Sequence, residues 1–96
     1  MLELRPCCEN CKKALPPTSE DARICTFECT FCADCVDNIL HNVCPNCGGG
    51  FVNRPIRPKG LLEKYPPTTK VVYKPVDRAK FKILLGKNKG IQPVDR

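Results

Sequence analysis

One stretch of the chain has a clear helical pattern of apolar positions. These positions recur at spacings of three and four residues, which would place them on one face of a helix: Cys32, Cys35, Val36, Ile39 and Leu40. Asp34 and Asp37 fall near the start of the stretch, where negative charge favours the helix dipole. The pattern therefore predicts one short helix over residues 33–41, with two thiols one turn apart on its buried face.

The segment before this helix alternates in part between apolar and polar residues. Between Arg23 and Phe31 the pattern is typical of a short, irregular hairpin. Ile24 and Phe27 are its large apolar residues, and we expect both to lie in the small core.

The pattern is weaker after the glycine run at residues 48–50. Residues 51–59 contain prolines that restrict their neighbours, so we expect an extended segment there. A helical turn is predicted near residues 61–65 and strand character at residues 70–73. A short amphipathic helix is predicted over residues 77–85, with three apolar residues on one side: Phe81, Leu84 and Leu85.

The two halves of the chain differ in charge as well as in cysteine content. Of the 96 residues, the first 50 carry four Lys and Arg against seven Asp and Glu, a net charge of −3. Residues 51–96 carry twelve against three, a net charge of +9, and contain no cysteine. A unit of about 50 residues usually needs metals or disulfides to fold stably. The sequence therefore predicts a small metal-stabilised α+β module over residues 1–50, with one short helix and a short hairpin, and a basic, proline-containing extension over residues 51–96.

Eight of the nine cysteines fall into four close pairs. The paired residues are Cys8, Cys11, Cys25, Cys29, Cys32, Cys35, Cys44 and Cys47. Zn²⁺ binds four thiolates tetrahedrally, so eight thiols fit two closed structural sites. Iron accepts the same donors, but the long and uneven spacings differ from compact ferredoxin runs, so two Zn²⁺ ions are predicted. Cys7 is left over as a spare thiol, an alternative ligand or a redox-sensitive group.

The order and spacing of these cysteines resemble a RING finger, in which Cys29 stands where that family usually has histidine. Phe31 before Cys32, the predicted helix after Cys35, and Pro45 fit the likeness. The resemblance implies a cross-brace, also describable as treble-clef-like, with interleaved ligands. Cys8, Cys11, Cys32 and Cys35 would form the first site, and the second site would comprise Cys25, Cys29, Cys44 and Cys47. A sequential pairing, with Cys8, Cys11, Cys25 and Cys29 sharing one ion, is the alternative.

A second resemblance covers more of the chain. Five segments look like the signature of a family of short bacterial cysteine-rich proteins, domain of unknown function twelve seventy-two: residues 2–6, 15–17, 29–35, 44–50 and 54–58. The resemblance implies a small zinc-binding protein without an assigned activity. The N-terminus has no apolar run of signal-peptide type and no stretch suits a membrane span, so we expect a cytoplasmic location and no membrane partner.

The sequence favours a non-enzymatic role. A metal held by four thiolates has no open position for substrate or water, and no nucleophile–base pair is evident. We therefore expect a protein-interaction or adaptor module. Binding of nucleic acid is the alternative, through cations of the extension: Arg54, Arg57, Lys59, Lys64, Lys70, Lys74, Lys80 and Lys82. A ubiquitin-ligase role is less favoured, because Glu9, Asn10 and the glycines after Cys47 occupy positions where RING ligases contact their partner enzyme.

Overall fold

The computed structural model describes all residues 1–96, and its regular elements are short. In chain order they are β1 (Ala22–Ile24), β2 (Thr30–Cys32), α1 (Ala33–Cys35), a π-helical segment (Val36–Leu40), β3 (Val52–Asn53), α2 (Lys59–Leu62), α3 (Arg78–Asn88) and a 3-10 turn (Pro93–Asp95). The three strands form one antiparallel sheet in the order β2-β1-β3. The molecule is thus a small α+β fold, as predicted. None of its helices has the length and apolar content of a bilayer-spanning segment.

The predicted hairpin is confirmed by the pairing of β1 with β2. Arg23 lies opposite Phe31 in this pairing, and the other edge of β1 pairs with β3. The expectation that Phe27 joins the core was wrong, because its side chain is 71% exposed. The chain reverses between Cys25 and Cys29, where the Glu28 amide donates to the Cys25 carbonyl at 3.0 Å. Phe27 lies at the tip of this reversal and therefore faces solvent.

The predicted helix over residues 33–41 is present, but it widens after its first turn. α1 continues directly into the π-helical segment, which ends when His41 adopts a left-handed conformation with φ of 48°. The buried positions Cys35, Val36 and Leu40 are those expected from the apolar pattern. Cys35 thus lies in the helix, whereas Cys32 is the last residue of β2 and precedes it; both thiols are buried.

The core is small and rich in sulfur. It contains 13 buried residues, six of which are cysteines. The largest fully buried side chains are Phe31, Leu15, Leu40 and Val43, and the Phe31 ring meets that of Phe51 edge-on at 5.5 Å. Because nearly half of the core positions are thiols, apolar burial alone offers little stabilisation. The stability of the fold therefore depends on the interactions that hold the sulfur atoms together.

The extension supplies part of this core. Phe81 of α3 is only 6% exposed and belongs to the main cluster, and Val76, Leu84 and Leu85 pack against that cluster. The Asp77 side chain caps the helix by accepting hydrogen bonds from its first amides. The helix predicted over residues 77–85 is thus confirmed and extends to Asn88. The predicted division of the chain at residue 50 stays a prediction.

The predicted strand at residues 70–73 is not formed. Val71 and Tyr73 are exposed, and no strand lies alongside this segment to pair with it. Single backbone hydrogen bonds attach the flanking residues to the N-terminal half, one from Thr68 to the Glu3 carbonyl and one from Lys74 to the Glu9 carbonyl, both at 2.8 Å. The segment has apolar β-forming residues, but without a free strand edge beside it the pattern does not produce a strand.

The end of the chain lies against the glycine run. A Cβ atom on Gly50 would sit only 2.8 Å from Cγ of Pro93, so this close approach requires glycine. The Arg96 guanidinium donates to the carbonyls of Asn42 and Gly48 at 2.8 and 3.1 Å. Residues 93–96 therefore fold back over the loop that contains the last cysteine pair.

Candidate metal centre

Four thiols form the first cluster. The sulfur atoms of Cys8, Cys11, Cys32 and Cys35 all lie within 4.8 Å of one another. The first two come from a tight turn near the N-terminus, and the other two flank the start of α1. The Sγ atoms of Cys8 and Cys35 are 3.8 Å apart, and those of Cys11 and Cys32 are 3.6 Å apart. These separations are too long for disulfides, and all nine cysteines are free.

The sulfur separations in the first cluster suit a tetrahedral metal ion. With Zn–S bonds near 2.3 Å, the corners of a tetrahedron are about 3.8 Å apart. The two measured separations, 3.8 and 3.6 Å, are close to this value. Four soft thiolate donors at this spacing fit Zn²⁺ or iron and leave no coordination position open.

The second cluster brings together three thiols. The sulfur atoms of Cys25, Cys44 and Cys47 lie within 4.8 Å of one another, and the Cys29 sulfur, predicted as the fourth ligand, is outside this set. Cys29 is nevertheless buried at the same hairpin turn, and its carbonyl accepts a hydrogen bond from the Cys25 amide at 3.3 Å. Three soft donors can hold a metal ion, with Cys29 as the nearest candidate for the fourth position.

The sulfur atoms group in the interleaved order implied by the RING resemblance. Cys8 lies with Cys35 and Cys25 lies with Cys47, whereas a sequential arrangement would have joined Cys8 to Cys25. Cys7 is buried outside both clusters. The two clusters can each hold a metal ion, and the assignment of individual ligands stays a prediction.

Burial makes two of the cluster thiols, Cys35 and Cys44, weaker acids than an ordinary cysteine. Desolvation raises the pKa of Cys35 and of Cys44 well above the ordinary range of a thiol. The metal-free protein therefore holds protonated thiols at these positions at neutral pH. A divalent cation favours the thiolate form, so metal binding would release protons.

Several N–H groups point at the cluster sulfurs. The Asn10 side chain donates to the Cys35 sulfur at 3.4 Å, the Phe27 amide to the Cys25 sulfur at 3.3 Å, and the Gly49 amide to the Cys47 sulfur at 3.4 Å. Hydrogen bonds of this kind orient metal-ligating thiolates and offset part of their negative charge. Both clusters thus have donors suited to thiolate sulfur.

Glu9 lies between the clusters and was not recognised from the sequence as a structural residue. Its side chain is almost fully buried and accepts hydrogen bonds from the Thr30 amide at 2.7 Å and the Arg5 guanidinium at 3.1 Å. The Asn46 side chain lies 3.5 Å from its other carboxylate oxygen. Glu9 therefore connects the turn of the first cluster to the loops of the second. The signal for this role in the sequence was Arg5, an opposite charge four residues earlier that could pair with Glu9.

The cations proposed for nucleic-acid contact differ in environment. Arg54 is 5% exposed and donates to the carbonyls of Arg5, Leu15 and Pro16 at 2.9–3.1 Å. Arg57 donates to the carbonyls of Leu2 and Tyr65. Both guanidinium groups thus bind the protein's own backbone. The other six are exposed: Lys59, Lys64, Lys70, Lys74, Lys80 and Lys82.

Residues 1–57 match the family described as Protein of unknown function (DUF1272). The chain belongs to this family. It is also 60% identical over 75 residues to an uncharacterized protein of Rhizobium meliloti (strain 1021), a match that covers 78% of this chain and 89% of the relative. No solved structure matches the chain significantly.

The DUF1272 match includes the features that define the candidate centre. All nine cysteines, Glu9 and Arg54 lie within it, whereas α3 lies beyond it. The family description names no activity or ligand. The cysteine clusters identify this DUF1272 protein as a metal-binding structural module.

Proposed function

We propose that the protein is a structural zinc module, RING-like in its interleaved arrangement, that binds a protein partner in the bacterial cytoplasm and catalyses no reaction. The observation that supports this proposal most strongly is that six cysteines occupy positions in a core of 13 residues. Metal ions held there would replace the apolar core that so short a module lacks. The binding free energy would then be folding free energy.

Zinc fits both the donors and the proposed compartment. Free thiols persist in a reducing cytoplasm, where close cysteine pairs serve as metal ligands rather than disulfides. The ions would be held by the first cluster and by Cys25, Cys44 and Cys47 with Cys29. Zn²⁺ has no redox chemistry of its own, so its contribution there would be structural.

Interaction with a protein is supported by the exposed surface. The large apolar residues Phe27, Tyr73 and Ile83 remain exposed after the chain has folded. The side chains that would serve catalysis are largely committed elsewhere, since the buried Glu9 is hydrogen-bonded and the first cluster contains only thiols. Closed thiolate sites favour a binding role over a catalytic one, and these exposed apolar side chains are candidate contacts for a partner.

Native mass spectrometry of the purified full-length protein tests the proposal. We expect two zinc ions per chain, loss of the fold on chelation, and a co-purifying protein. Cys11→Ser should lose one ion, whereas Cys7→Ser, whose thiol lies outside both clusters, should keep both. A fold unchanged by chelation would reject the structural role of the metal, and persistent absence of any protein partner would reject the interaction role.

Nucleic-acid binding is the second candidate. The ion pairs of the structure join residues of the N-terminal half only, so none of the twelve Lys and Arg residues of the extension is paired with a carboxylate. Such cations could neutralise phosphates, and the affinity would then fall steeply with added salt. Lys70→Glu and Lys82→Glu test this without disturbing the core, since both side chains are exposed. A nucleic-acid affinity that changes neither with salt concentration nor with either substitution would exclude this role.

A ubiquitin-ligase role is less favoured. Asn10 accepts a hydrogen bond from the Val76 amide at 3.0 Å, and Gly50 is covered by Pro93. The surfaces next to the first and last cysteine pairs therefore contact the extension. A source organism without a ubiquitin-like conjugation system would exclude this role.

A further inference from the structure

A cavity of about 300 Å³ lies between the loop of the last cysteine pair and the extension. We call it the α3 groove, and define it by Pro45 and Asn46 on one side and by seven residues of the extension on the other: Lys74, Pro75, Val76, Asp77, Lys80, Phe81 and Leu84. Its volume is at the lower end of the range found for ligand pockets. It can therefore admit one side chain of a binding partner together with neighbouring backbone.

The floor of the α3 groove is apolar. Its apolar lining, which we call the floor, consists of Phe31 of β2, Val76, and Phe81 and Leu84 of α3. Phe31 and Phe81 are 1% and 6% exposed, so only a small part of each side chain reaches the groove. An aliphatic side chain inserted here would bury apolar surface on both sides.

The rim of the groove has a net positive charge. Lys74 and Lys80 line it, and neither lysine forms an ion pair. The one acidic residue in the groove is Asp77, whose Oδ1 atom accepts hydrogen bonds from the amides of Ala79 and Lys80 at 3.1 and 3.2 Å. Asp77 forms no ion pair with either lysine, so both ammonium groups remain available to an acidic ligand and the groove keeps a net charge of +1.

We propose that the α3 groove binds an acidic segment of a partner protein. An aliphatic side chain of that segment would occupy the floor, and flanking Asp or Glu residues would pair with Lys74 and Lys80. This inference rests on the proposed protein-interaction function and assigns it a surface. A protein segment fits better than nucleic acid, because the Phe31 and Phe81 side chains expose too little surface for a base to stack on.

Synthetic peptides test the groove with the full-length, zinc-loaded protein. The probe is a fluorescein-labelled eight-residue peptide of Asp and Glu with one central Leu, and a second peptide has Ser in place of Leu. Fluorescence anisotropy should show tighter binding of the Leu peptide. We expect an affinity loss of roughly fivefold to tenfold in Lys80→Glu, because an attractive pair becomes repulsive. Lys82→Glu should have a much smaller effect.

Lys82 is the matched control because it lies on the same helix, is exposed, and does not line the groove. A second matched pair tests the floor: Leu84→Ala should weaken the Leu peptide, whereas Ile83→Ala, at an outward position 67% exposed, should not. Lys80 is exposed, so its substitution leaves the fold intact and provides a test even if Leu84→Ala does not fold.

Three outcomes would overturn the inference. Equal losses in the Lys80 and Lys82 variants would indicate attraction to net charge alone. Absence of peptide binding at millimolar concentration would exclude the site. Tighter binding of a single-stranded oligonucleotide than of the Leu peptide, with equal sensitivity to both substitutions, would favour nucleic acid. The proposed function itself would survive each result if the protein holds two zinc ions and co-purifies with a protein bound elsewhere.

Discussion

Arg54 provides the sharpest test of how this fold is held together. Its guanidinium is 5% exposed and donates to the carbonyls of Arg5, Leu15 and Pro16. Burial lowers the pKa of this group, which nevertheless stays charged at neutral pH. One side chain thus joins β3 to the N-terminal segment and to the loop before β1. We predict that Arg54→Ala strongly destabilises the metal-loaded protein.

The magnitude follows from the three hydrogen bonds. A hydrogen bond from a charged donor contributes about 1.5–3 kcal/mol, and a buried carbonyl left without a donor costs about 1–3 kcal/mol. The three bonds share one side chain and are not additive, so we expect a loss of about 3–5 kcal/mol. Arg54→Lys should lose most of this stabilisation, because a single ammonium group cannot donate to all three carbonyls at once.

Thermal and urea unfolding at a fixed concentration of free zinc measure the effect, since bound metal contributes to the apparent stability. A loss of about 3 kcal/mol should lower Tm by roughly 12–24 °C in a domain of this size. The matched control is Lys59→Ala, an exposed cation of the same segment, which should change stability by at most about 0.5 kcal/mol. An Arg54→Ala variant as stable as this control would refute the reasoning.

Three further predictions concern the core and the metal sites. Phe81→Ala should cost about 3–5 kcal/mol, because the ring is buried in the main cluster, whereas Ile83→Ala on the outer side of α3 should be nearly neutral; equal unfolding midpoints would contradict a structural role for α3. Cys29→Ser should weaken zinc at the second cluster and leave the first loaded, as zinc titration monitored by native mass spectrometry would reveal; loss of both ions or of neither would be the contrary result. Acidification should release zinc, because stability that depends on bound thiolates is present at neutral pH and lost as the pH falls. Burial raises the pKa of Cys35, so protons compete strongly with the metal ion for this sulfur. The logarithm of the zinc affinity at the first cluster should fall by about four for each unit by which the pH falls. A zinc affinity that stays constant between pH 7 and 5 would argue against thiolate ligands.

Local apolar spacing in the sequence was sufficient to locate two of the helices. Apolar spacing identified the helix after Cys32 and the inward face of α3, including Phe81. It failed at residues 70–73, because strand formation depends on a neighbouring edge that local sequence does not reveal. Phe27 was misjudged for a similar reason, since its exposure follows from its place at the tip of the reversal.

The roles of the charged residues were harder to predict. Arg54 is one of twelve Lys and Arg residues in the extension, and composition alone made it a candidate for phosphate contact. Its burial depends on hydrogen bonds to carbonyls more than 35 residues earlier in the chain, such as that of Leu15. The environment of Glu9 likewise depends on Thr30 of β2 and on Asn46 in the loop of the last cysteine pair. Contacts between residues so far apart in the sequence form only in the tertiary fold, so local patterns do not predict them.

The interleaving of the two clusters has a consequence for how the chain takes up metal. The first cluster joins residues 27 positions apart, Cys8 and Cys35, and the loop between them contains Cys25, whereas Cys44 and Cys47 lie beyond it. An ion bound at the first cluster would bear the entropy of closing that loop and would hold Cys25 near the start of α1. The second ion would then have to bring in only Cys44 and Cys47. We expect the singly loaded chain to be sparsely populated, so that zinc uptake is cooperative even though neither ion needs to contact the other.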